Sequence, residues 1–205
     1  MVINPELNSD EYFFDIEWLS AEKLQFKLLT LITVLADNHL AYRGTLSDVC
    51  AFLGLASRNS RTNAKIKTAI DCLVSDGFIH ALKDGNIWTL TLTKSAKRRS
   101  KVIRIKKEWY EVARNYKNSE NSIDWSVVLK VWLYLIDNRK EVITSQEIAD
   151  TLGVSVSAVN RAKSALMRDI KAITSKKVNV CEEDSEGKIT FRCLGSDITV
   201  TAWIG

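Results

Sequence analysis

Apolar residues recur at helical spacing in a set of segments that occurs twice along the chain. Phe26-KLLTLITVLA-Asp37-Asn38 matches Ser126-VVLKVWLYLI-Asp137-Asn138 in length and in its closing Asp-Asn. Leu28, Leu29, Leu31, Ile32 and Leu35 form the apolar face of the first. Val128, Leu129, Val131, Trp132 and Leu135 form that of the second. Each is followed by a second predicted helix, Thr45-LSDVCAFLG-Leu55 and Thr144-SQEIADTLG-Val154, in which Val49, Cys50 and Leu53 align with Ile148, Ala149 and Leu152. A third predicted helix follows, with Ile66, Ala69, Ile70 and Leu73 in copy one and Val159, Ala162 and Leu166 in copy two. Copy one carries six extra residues around Ala56-SRNSR-Thr62.

Alternation replaces helical spacing around these blocks. Phe13-FDIE-Trp18 and Val102-IRIKKE-Trp109 read as short strands leading into each copy. After the third helix of copy one, Gly77 supplies a left-handed stop. Phe78-IHAL then turns at Lys83-DG-Asn86 into Ile87-WTLTLT, and Asp-Gly between alternating runs signals a hairpin. In copy two, Ala172-ITSKKVNV turns at Asp184-SEG-Lys188 into Ile189-TFRCL, and Asp197-ITVTAWI reads as one further strand.

Ser145-QEIADTLGVSVSAVNRAKSAL resembles the helix–turn–helix family along about twenty residues. Ala149 occupies the place where a small residue lets two helices cross closely. Gly153 stands in the turn, Ser155 is an N-cap, and Val159 and Ala162 take the buried positions of the third helix. Copy one keeps Gly54 but has Cys50 in place of the small residue and an insertion after the turn. With a hairpin after each third helix, the resemblance implies an α+β, mainly helical fold: two winged-helix domains in tandem, at 1–96 and 97–205, with a basic connecting segment at 97–107.

That resemblance directs attention to the outward faces of the third helices. Opposite Val159, a step of about 100° per residue places Ser157, Arg161, Ser164 and Arg168 on one stripe, with Asn160 at its edge. Arg pairs bidentately with guanine, Asn with adenine, and Ser reaches bases or phosphates. The rival reading is a solvated polar face. In copy one the outward positions are Arg61, Ala64, Thr68, Asp71 and Ser75, flanked by Lys65 and Lys67. Arg58, Asn59 and Arg61 are placed to reach phosphate from the inserted loop, whereas the Asp71 carboxylate repels it.

Charge sharpens the picture. The formal charge of +4 divides as −3 over residues 1–93, +6 over 94–124 and +1 over 125–205. Lys94 to Lys107 holds eight basic residues and no acid. Within it Lys97, Arg98, Arg99 and Lys101 are expected to follow a nucleic-acid backbone or enter a minor groove, the alternative being a solvated charge run. The copy-two wing tip is acidic, with Glu182, Glu183, Asp184 and Glu186, so it is expected to point away from DNA or to meet a protein.

Composition excludes collagen-like and strongly disordered classes: 46% of residues are apolar, with eight Gly and one Pro. The longest nearly apolar stretch, Leu28 to Ala36, is far short of the roughly 20 residues of a membrane span. Met1 to Asp10 lacks the pattern of a secretory signal, so a cytoplasmic location is expected. Cys50, Cys72, Cys181 and Cys193 form no C-x-x-C pair and read as free thiols, the first two buried. Phosphate-loop, dinucleotide-binding and nucleophile-elbow motifs are absent. His39 and His80 stand at no metal-binding spacing from a cysteine. No enzyme activity, metal or cofactor is expected.

The expected function is sequence-specific binding of double-stranded DNA in transcriptional regulation. The chain is also similar in layout to the tandem winged-helix replication initiators of plasmids and phages. The layout is shared by winged-helix accessory subunits of chromosome-condensation complexes, which are protein-interaction modules. Those are typically acidic, and the basic band weighs against them while the acidic wing favours them.

Overall fold

A side-chain cap starts most of the predicted helices, and Gly54 and Gly153 end two of them. The computed structural model describes residues 10–37, 40–57, 59–93, 101–116, 123–138, 143–183 and 189–200, with backbone alone beyond Ile173. By their contacts the residues divide into Phe13–Val102 and a second unit, Ile103–Gly205 with the chain before Phe13. The boundary at Val102 lies inside the basic segment. Strands β1 (Glu11–Asp15) and β5 (Val102–Lys106) pair in a two-stranded sheet. The Ile16 N–H donates to the Lys101 carbonyl at 3.0 Å, and the Lys107 N–H to the Asp10 carbonyl at 2.9 Å.

In Phe13–Val102, the strand predicted to run to Trp18 ends at Asp15. The Asp15 carboxylate accepts from the Glu17 N–H and caps a 3-10 turn, Ile16–Ser20, that buries Trp18 and Leu19. Helix α1 (Lys23–Leu35) buries Phe26, Leu28, Leu29, Leu31 and Ile32. A short strand, β2 (Ala41–Thr45), follows that the periodicity does not predict. Helix α2 (Leu46–Leu53) starts at a capping box in which Thr45 and Asp48 satisfy each other's backbone N–H groups. It ends at Gly54, left-handed at φ +69°. Helix α3 (Ser60–Ser75) starts at Asn59, whose side chain accepts from the Arg61 and Thr62 N–H groups. Arg61 therefore stands in the first turn of a helix, not in the inserted loop.

Strands β3 (Ile79–Asp84) and β4 (Ile87–Leu92) form the predicted hairpin. Asp84 pairs with Ile87, so the two-residue loop is Gly85-Asn86, one position later than the Asp-Gly step suggests. Gly85 carries the positive φ, +56°. The sheet order is β2-β4-β3. Its inner face brings Tyr42, Leu90 and Ile79 onto the helices. Tyr42 packs over Gly44, where a Cβ would lie 2.2 Å from the Tyr42 hydroxyl. Three helices and a three-stranded sheet in this order are consistent with a winged-helix-like fold.

In the second unit, the alternation of β5 buries Ile103 and Ile105 and then gives way to a helix. Helix α4 (Lys107–Arg114) corrects the reading of a strand through Trp109; Tyr110 and Ala113, one turn apart, supply its buried face. Helix α5 (Trp125–Asp137) is capped by Asp124, which accepts from the Ser126 N–H at 3.0 Å and hydroxyl at 2.6 Å. Ser126 to Ile136 are all buried, since α4, helices α6 (Ser145–Leu152) and α7 (Val156–Ser164), and the C-terminal hairpin pack around α5. The rings of Trp109 and Trp132 meet edge to face at 6.0 Å, and the Arg114 guanidinium lies 4.6 Å over Trp125.

Strands β6 (Ile173–Glu183) and β7 (Ile189–Val200) form one long antiparallel hairpin. Asp197–Val200 is the far end of β7, paired with Ile173–Lys176, and not a further strand. Val178 faces Gly195 while Asn179 faces Cys193, so Leu194 is an extra residue that bends the strand. The order helix, helix–turn–helix, hairpin thus recurs in this unit, with Ile143 forming an isolated bridge before α6.

Candidate nucleic-acid interface

The turn between α6 and α7 is specified at three points. Thr144 and Glu147 form a capping box, the Thr144 N–H donating to Glu147 Oε2 at 2.7 Å and the Glu147 N–H to Thr144 Oγ1 at 3.1 Å. Gly153 ends α6 at φ +62°, a conformation that costs most L-residues about 1–2 kcal/mol. Ser155 then caps α7, accepting from the Ala158 N–H at 3.2 Å. Ile148, Ala149, Leu152, Val159 and Ala162 are buried between the helices and α5.

That anchoring fixes which side of α7 faces outward. Ser157, Asn160 and Arg161 are exposed and Ser164 is half-buried. Arg168 is exposed too, but it stands on a π turn, Ala165–Asp169, where the Ile170 N–H donates to the Ala165 carbonyl at 2.9 Å. A π turn takes more residues per turn than an α-helix, so a uniform 100° step does not fix Arg168's bearing. At the end of that turn Asp169 accepts a hydrogen bond from the Tyr116 hydroxyl, and Lys171 adopts φ +59°.

Two residues that the sequence reading passes over join this face. Ser145, the first residue of α6, donates through Oγ to Asn160 Oδ1 at 2.6 Å. Lys163 Nζ donates to the same Oγ at 3.4 Å, and burial pushes the Lys163 ammonium below its ordinary pKa. These contacts bridge 15 and 18 residues of sequence, so no periodicity signals them. They bear on Asn160, because bidentate pairing with adenine needs both ends of the amide.

In Phe13–Val102 the corresponding face of α3 carries Arg61, Lys65 and Thr68 at helical spacing, all exposed, with exposed Asp71 one turn further on. The Thr68 hydroxyl is turned back to the Ala64 carbonyl at 3.1 Å, and Asn59 is spent as the cap. Cys50, at the crossing of α2 and α3, is buried and its thiol approaches Asn63 Oδ1 at 3.6 Å. Cys72 is a free thiol too, but only half-buried. In the wing of this unit Lys83 lies 5.9 Å over the Trp88 ring.

Lys101 is exposed immediately before β5. Arg58, Lys97, Arg98, Arg99, His39, Asp184 and Glu186 lie outside the described residues, and Glu182 and Glu183 are described by the β6 backbone alone. Among the described residues no three His, Cys, Asp or Glu side chains gather as metal ligands, and no helix is long and apolar enough to cross a membrane.

No family model matches the chain, and no curated protein matches it. Among solved structures the chain is similar to ScpB from Mycobacterium tuberculosis, at 17% identity over 92% of each chain and with a TM-score of 0.26.

Proposed function

We propose that the chain is two winged-helix domains in tandem that bind double-stranded DNA, with α7 as the principal base-reading helix and the basic segment 94–107 as a phosphate-binding element. The observation that carries the reading is the α6–Gly153–α7 turn, which holds Ser157, Asn160 and Arg161 outward on a helix whose other side is locked onto α5. A guanidinium on such a face has the reach and donor geometry for a guanine edge. Arg61 and Lys65 on α3 offer a second, weaker contact, since Asp71 shares their face. The role that fits is a cytoplasmic regulator of transcription; initiation of plasmid or phage replication uses the same contacts. No catalytic role, metal or cofactor is proposed.

Arg161→Ala tests this. It is expected to weaken the selected site by about 1–3 kcal/mol and to abolish preference at one base pair. Neutralising Arg98 and Arg99 is expected to weaken all sequences alike and to reduce the salt slope by about one unit per lost phosphate contact. Equal loss on all sequences for both variants refutes the assignment of Arg161 to base reading.

A second reading has its own observation. The tip that joins β6 to β7 carries Glu182, Glu183, Asp184 and Glu186, a charge that a phosphate backbone repels. A protein-interaction module of a chromosome-associated complex would place a basic partner there.

A further inference from the structure

The Ser145, Asn160 and Lys163 side chains form a short chain of hydrogen bonds whose direction follows from what the lysine is able to donate and from the length of the Ser145–Asn160 contact. A lysine ammonium has donors and no acceptor, so Ser145 Oγ accepts from Lys163 Nζ across 3.4 Å. The hydroxyl owns one hydrogen, and it points along the 2.6 Å contact to Asn160. At 2.6 Å the contact has the length of an O–H···O bond and is shorter than an N–H···O bond, so the Asn160 atom that meets the hydroxyl is the carbonyl oxygen. The amide is locked in one flip state, with Oδ1 turned toward α6. Asn160 is exposed, and its Nδ2 has no partner among the described residues. Ser145 is itself held at the head of α6 by the neighbouring Thr144–Glu147 capping box.

The geometry points to Ser145 and Lys163 as specificity-determining residues that make Asn160 a donor-only reader of DNA, selecting a keto base over an amino base at one position. The inference rests on the DNA-binding reading of α7. In the major groove guanine presents N7 and O6, and thymine O4, all acceptors that match an outward NH2. Adenine N6 and cytosine N4 are donors that oppose it, and adenine keeps a single acceptor, N7, where guanine has two. The usual pairing of Asn with adenine needs Oδ1 to accept from N6, and here that oxygen is turned toward α6 by its bond from Ser145. Ser145 and Lys163 act through Asn160 and need touch no base themselves.

The experiment is selection from a random duplex pool with the wild-type protein and with Asn160→Ala, Ser145→Ala and Lys163→Met, each variant checked for native helix content. Asn160→Ala identifies the position that Asn160 reads. There the wild type is expected to prefer guanine or thymine by about tenfold. Ser145→Ala frees the amide to flip, and adenine is expected to rise to parity or above at that position alone. Lys163→Met lets the Ser145 hydroxyl turn and is expected to move the preference the same way. A wild-type preference for adenine at the Asn160 position overturns the inference. So does an unchanged preference in both Ser145→Ala and Lys163→Met, or a selected site in which no position responds to Asn160→Ala. In each of these cases DNA binding itself stands. No enrichment with the wild type overturns the DNA reading and this inference with it.

Discussion

Replacing Lys130 by Met is expected to stabilise the protein at neutral pH and to remove a rise in stability with pH. Lys130 stands midway along α5 with only 3% of its surface exposed, inside a helix that is buried on every side. Burial pushes its ammonium from 10.5 down to about 8. At about 1.36 kcal/mol per pH unit, that gap makes the charged form cost about 3 kcal/mol in the folded protein. Between about pH 8 and 10.5 the unfolded chain holds the proton and the folded chain has released it, so stability rises with pH across this window. Below pH 8 both states carry the charge and the full cost is felt. Met keeps the length of the side chain without the ammonium, so the variant is expected to gain up to about 3 kcal/mol at pH 7 and progressively less towards pH 10.

Urea unfolding followed by tryptophan fluorescence at pH 7, 8, 9 and 10 measures this, with Trp125 and Trp132 on the same helix among the six tryptophans that report it. The quantity to read is the difference between wild type and variant. Burial pushes Tyr12, Tyr42 and Tyr110 and the Cys50 thiol upward, so these groups ionise first in the unfolded chain. They lower stability at high pH in both proteins and cancel in the difference. A variant less stable than wild type at pH 7, or a difference that does not change with pH, refutes the reasoning.

Two glycines make opposite predictions about mechanism. Gly44→Ala is expected to cost about 1–3 kcal/mol in chemical denaturation, because the new Cβ meets the buried Tyr42 hydroxyl at 2.2 Å. Gly153→Ala finds open space around its Cβ but must hold φ +62°, so a cost of about 1–2 kcal/mol arises from backbone strain alone. Gly153→Asn, which tolerates that conformation better, is then expected to recover part of the loss, whereas Gly44→Asn recovers none.

The helices were legible because their burial follows one period. Val159 and Ala162, and Ile66, Ala69 and Ile70, lie where helical spacing puts them, and Gly54 and Gly153 mark turns that only a left-handed residue closes cheaply. The errors fall where one pattern runs into another. Val102 to Lys106 alternates, and Trp109 continues the parity of Ile103 and Ile105, so nothing in the alternation announces that α4 begins at Lys107. Strand β2 has a single fully buried side chain, Tyr42, and is defined by its pairing with β4, a contact distant in sequence. Of the candidate site, the outward positions of α7 were readable from the direction of Val159. The bond from Ser145 to Asn160 was not, because it depends on how the Gly153 turn folds α6 back across α7. The π turn beneath Arg168 leaves no mark in the spacing of apolar residues.

Binding of DNA by this chain is measured most directly by fluorescence anisotropy of a random-sequence duplex pool titrated with the protein from low to physiological salt. Binding is expected to weaken steeply and log-linearly with salt, as released counterions require, and a defined site is expected to be enriched from the same pool. An anisotropy that stays flat even at low salt contradicts it and moves the function to a protein partner at the acidic tip of the β6–β7 hairpin.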